Sequence, residues 1–126
     1  MRRAAPFVLL LFVACSSSLV WYQKQEQDTF YIGASKQHGG AISDAEWQQF
    51  LHDVVSPQFP GYTYWRAHGM WMNQSEETFV LVIVHEQGHE AGVQAILDQG
   101  KLRLDQQEIF HVREDVWLRE NQPVAK

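Results

Sequence analysis

Seven consecutive residues, Thr78-Phe79-Val80-Leu81-Val82-Ile83-Val84, limit what this chain can fold into more than any other stretch. Five of the seven are β-branched and none is charged. Branching at Cβ restricts the side chain and suits an extended, pleated backbone. A strand with no polar alternation has no face to give to water, so the run predicts a central strand buried on both sides. The next five residues, His85-Glu86-Gln87-Gly88-His89, spell the His-Glu-x-x-His string of zinc peptidases. That chemistry needs a helix. The two histidines must lie one turn apart on one face to grip zinc, and the glutamate then activates the metal-bound water. A strand that ends near His85 and passes into a loop cannot supply that face.

The flanking elements decide how the run is used. Asp28–Ser35 is short and β-rich and predicts a first strand. Gly39-Gly40 punctuates a loop. Ser43-Asp44-Ala45-Glu46 is a capping box, followed by Trp47, Phe50, Leu51, Val54 and Val55 at helical spacing. Pro57 ends that helix, and Tyr62–Met72 alternates as a second strand. Asn73-Gln74-Ser75 predicts a hairpin turn into Thr78–Val84. Glu90–Gln99 carries Ala91, Val93, Ile96 and Leu97 in a helical pattern, with Gly100 placed to cap it. Glu108–Val112 is the last strand candidate. The order βαββαβ predicts an α+β, ferredoxin-like fold: a four-stranded antiparallel sheet with two helices on one face and the other face open.

The chain has 126 residues, enough for one small domain, with 45% hydrophobic and 20% charged residues. Its net charge of −5, with no basic cluster beyond Arg2-Arg3, speaks against nucleic-acid binding. Arg2-Arg3, the apolar run Phe7–Val13 and the small residues Ala14-Cys15-Ser16 have the layout of an export signal. Phe12-Val13-Ala14-Cys15 resembles the lipobox of bacterial lipoproteins, with Phe12 where leucine is usual. Cys15 is the only cysteine, so it has no partner for an internal disulfide, and lipidation explains its position better than redox chemistry does. The expected organisation is a signal peptide over residues 1–14, a flexible tether over 15–27, one domain over 28–120 and a loose tail over 121–126. The expected address is the bacterial envelope, with the domain tied to the membrane by a lipid on Cys15 and facing the periplasm or outside.

Gly39-Gly40, Ile42-Ser43, Glu46-Trp47, Phe50, Pro57, Phe59-Pro60 and Gly69-x-Trp71 together resemble a small bacterial family, domain of unknown function 3574, often labelled lipoprotein. The resemblance runs from about Thr29 to Val112. It implies the strand reading of Thr78–Val84 and supplies no reaction. A short basic motif usually precedes the third strand in that family; here Ser75-Glu76-Glu77 stands in its place.

No complete nucleophilic or acid–base set stands out. The zinc-peptidase alternative would use His85 and His89 as ligands and Glu86 as base, with zinc as its cofactor. Its third ligand would have to come from Glu108, His111, Glu114 or Asp115, because Ala95 occupies the position where a longer motif has histidine. Otherwise no cofactor is expected. The favoured expectation is a non-enzymatic binding or interaction domain that works through the open sheet face or through a homodimer made there. A small-molecule enzyme using that face is a second alternative and rests on fold analogy alone.

Overall fold

The computed structural model describes residues 21–120. Cys15, the segment expected to be a signal and the expected tail from 121 onward lie outside the described residues. The elements are β1 (Gln23–Gly33), α1 (Asp44–Phe50), a π-helical turn (Leu51–Val55), β2 (Thr63–Trp71), β3 (Gln74–His85), α2 (Glu90–Arg103) and β4 (Phe110–Leu118). The four strands form one sheet in the order β2-β3-β1-β4, with every neighbouring pair antiparallel. The expected βαββαβ arrangement is therefore the one the chain adopts, and the apolar run lies in β3, an inner strand.

The register assigns each side chain to a face. Phe30 pairs with Leu81, and Tyr64 with the same Leu81, so these residues point to the same side. Phe30, Ile32, Phe79, Leu81 and Ile83 are buried there against Trp47, Phe50, Val55 and Ile96. The intervening β3 residues point the other way. Val80 is buried, Val82 is half-buried and Val84 is exposed. Double-sided burial thus holds at the middle of β3 and fades toward its end.

The capping box forms in full. The Ser43 hydroxyl accepts from the Glu46 amide at 3.1 Å, and the Glu46 carboxylate accepts from the Ser43 amide at 2.8 Å. The same carboxylate takes Lys36 Nζ at 2.5 Å. Hydrogen bonding from Lys36 first, and then from Ser43, holds the Glu46 carboxyl down at about 2. The helix widens at its end, where the Ser56 amide donates to the Leu51 carbonyl at 2.8 Å.

Four boundaries depart from the sequence expectation. β1 begins at Gln23, inside the stretch expected to be a tether, and β4 reaches Leu118. Each extends the other: Gln23 pairs with Leu118 and Gln25 with Val116. A strand reading Gln-Lys-Gln-Glu-Gln shows no hydrophobic period, and only its partner reveals it. The β2–β3 turn is the two-residue Met72-Asn73, with φ of 46° and 62°, because Trp71 already pairs with Gln74. Gly100 is not a cap. It is buried inside α2, where a Cβ would lie 2.7 Å from Ile109 Cδ1 and 3.5 Å from Phe50 Cζ. At Gly92, likewise, a Cβ would lie 3.0 Å from the Phe59 ring. Gly92, Ile96 and Gly100 recur every four residues, so they lie on one buried face of α2.

Candidate functional site

Two features stand out at opposite faces of the sheet. On the helix-covered face a polar network is buried beside the core. Asp28, fully buried, sits at its centre. Its Oδ1 accepts from His111 Nε2 at 2.6 Å and from Arg113 Nε at 2.9 Å. Its Oδ2 accepts from Arg113 Nη2 at 3.3 Å and from His85 Nε2. Arg113 also pairs with Glu90, the first residue of α2. Register explains the convergence: Asp28 pairs with Arg113 and with Ile83, while His85 and His111 are the same-face neighbours on either side. Burial by itself would raise the Asp28 pKa. Hydrogen bonds from Arg113, His85 and His111 outweigh it, and the carboxyl is held below its ordinary 3.8.

His85 is committed at both nitrogens. Nε2 meets Asp28, and Nδ1 lies 2.6 Å from the Glu86 carbonyl. Its ring lies edge-on to His89, with centroids 5.2 Å apart, and against Phe59 at 5.0 Å. Glu86 and His89 are exposed. The string His85–His89 is not helical. His85 ends β3, Gly88 has a φ of 98°, and His89 immediately precedes α2. The one-turn helical grip of a zinc peptidase is not the arrangement this backbone makes. Of the other residues considered as donors, His111 reaches Asp28, Asp115 pairs with Lys24 at 3.1 Å, and Glu114 points to the opposite face.

Glu26, Asp28 and His85 offer oxygen and nitrogen atoms within 4.8 Å of one another, the span of a small metal site. Arg113 stands against that use. Its guanidinium donates to both Asp28 oxygens and faces Glu26 Oε2 at 3.4 Å, so a cation there would have to displace it. The network's evident work is mechanical: it ties β1, β3, β4 and the start of α2 together.

The other sheet face carries no helix. Tyr31, Trp65, Trp71, Val84, Phe110, Val112 and Leu118 are all large and exposed, and the register puts all seven on it. Trp71 and Phe110 come from the two outer strands, yet their ring centroids are 5.0 Å apart. Gly33, Gly69 and Thr78 line the space between, leaving a groove of about 690 Å³ with Lys36, Glu76 and Gln106 among its polar groups. Pockets of about 300–1,000 Å³ with apolar walls and few polar groups are the usual form of ligand sites. Tyr64, by contrast, belongs to the core side, where its hydroxyl accepts from Gln48 Nε2 at 2.8 Å and its ring meets Trp47. The β2 aromatics therefore do not form one site; Trp65 and Trp71 share a face and Tyr64 does not.

A family model described as a protein of unknown function, DUF3574, matches residues 27–119. The chain belongs to the DUF3574 family. The match takes in β1 from Gln27 onward and the whole of every later helix and strand. Both faces of this DUF3574 sheet therefore fall inside the family domain. No curated protein and no solved structure matches the chain significantly.

Sequence reasoning missed Asp28, Glu26 and Arg113. Asp28 carried a weak signal as an acidic residue opening a β-rich segment that continues Thr-Phe-Tyr-Ile. Its partners lie 57, 83 and 85 residues away in the chain, so only strand register brings them together.

Proposed function

We propose that this chain is a binding domain whose working surface is the open face of its sheet, held at the bacterial envelope by a lipid on Cys15. One observation carries the binding role. A four-stranded sheet leaves a whole face uncovered, and that face bears four exposed aromatic side chains with only Glu76 and Glu114 as charges on its strands. Depletion of charge and enrichment in aromatics mark the cores of interaction surfaces. The hydrogen bonds of the polar network on the other side are used within the protein.

An apolar fluorescent probe, anilinonaphthalene sulfonate, tests the surface. The folded protein is expected to bind it, and the double substitution Trp71→Ser and Phe110→Ser is expected to lower the affinity at least about tenfold, because the groove loses both walls. Unchanged binding in a folded double variant would remove the groove from the account. The anchor rests on the lipobox-like segment and on Cys15 being the sole cysteine. Labelled palmitate should enter the protein in bacterial cells and be lost in Cys15→Ser; labelling that survives the substitution, or never occurs, would refute it.

A further inference from the structure

We propose that the occupant of the open sheet face is a second copy of this chain, packed face to face about a two-fold axis. The inference rests on reading that face as the binding surface and names its partner. The apolar surface extends well past the groove. Trp65, Val84 and Leu118 are exposed on the same face but do not line the groove. A small molecule seated in the groove would leave them in water. A second flat sheet would cover them all.

The area fits. β2 and β4 are each nine residues long, and the sheet is four strands wide. At about 3.3 Å per residue and about 4.8 Å per strand, the face measures roughly 30 by 19 Å. Two such faces stacked about 10 Å apart remove on the order of 1,100 Å² from water before side-chain relief is counted. Specific interfaces begin at about 1,000–1,200 Å². The composition fits as well. Aligned sheet packing needs interdigitating apolar side chains on both inner faces, and an isologous two-fold contact supplies the same patch twice. A partner of different chemistry, chosen by charge, would find little to read, because Glu76 and Glu114 are the only charged residues that the strands place on this face.

The test uses the full chain with a photo-crosslinking benzoylphenylalanine at Val112, exposed on the open face, and a control at Gln94, exposed on α2. Irradiation should give a species of twice the 14.6 kDa chain mass from position 112 and none from position 94. Adding Trp65→Lys should abolish that species, because it brings two like charges into the interface. Absence of the doubled species at position 112 in a folded variant overturns the proposal, and so does its equal appearance at position 94. If position 112 fails to fold, the same label at Val84 decides by the same criteria. The binding reading fails separately. A missing doubled species with probe binding intact, or with cross-linking to a different protein, leaves the face a binding surface with another occupant. Loss of both removes the surface itself.

Discussion

Replacing Asp28 with alanine is expected to cost about 3–5 kcal/mol of folding stability, the range for removing one partner of a buried charge network. Three side chains from two strands donate four hydrogen bonds to this one fully buried carboxylate. Without it, Arg113 keeps only Glu90 and Glu26, and His85 and His111 lose the acceptor facing their Nε2 atoms. Urea unfolding followed by circular dichroism measures the loss; a change under about 1 kcal/mol would mean that the network is incidental to folding. The same residue gives the acid limb of the stability profile. Asp28 holds its proton less tightly folded than unfolded, since its folded pKa lies below 3.8. Its contribution is complete above the unfolded value and is lost as pH falls through the lower, folded one. Asp28→Asn should flatten that limb of the profile, and an unchanged acid limb would contradict the assignment.

The second large effect is expected at Trp47. It is 2% exposed, stacks on Phe79 at 4.4 Å between ring centroids, and touches Phe50 and Tyr64 at 5.8 Å. It is the contact that fastens α1 to the inner strand of the sheet. Trp47→Ala should therefore cost about 3–5 kcal/mol through the lost transfer energy and the cavity it leaves. The indole nitrogen has no hydrogen-bond acceptor among the described residues. An unsatisfied buried donor costs about 1–3 kcal/mol, so Trp47→Phe gives back part of what it loses in volume. Its expected loss is less than half that of the alanine variant, measured in the same unfolding series. Equal losses would show that the N–H is satisfied in solution.

Residues whose reasons are local were legible in the sequence. Ser43 and Glu46 announce a helix start because the capping box is a contact across three residues. Thr78–Val84 announces an inner strand because β-branching and the lack of polar alternation act residue by residue. Once those were placed, the element order left the ferredoxin-like sheet as the natural packing. What could not be read depends on partners. The polar start of β1 is a strand only because β4 pairs with it. Gly100 looks like a terminator until Ile109 and Phe50 are seen against its Cα. The His-Glu-x-x-His string looks like a metal motif until His85 is found bound to Asp28, 57 residues earlier. The open face was foreseeable as a consequence of two helices covering one side; which aromatics it carries required the register of β2, which sends Trp65 and Trp71 out and Tyr64 in.

Pairing of that face is read by hydroxyl-radical footprinting of the full chain across rising protein concentration. Trp65 and Trp71 lie on the open face, while Trp117, 65% exposed, pairs with Lys24 on the opposite side. Oxidation of Trp65 and Trp71 is expected to fall together as concentration rises, while oxidation of Trp117 does not change. Oxidation of Trp65 and Trp71 that does not fall over that range would contradict the pairing.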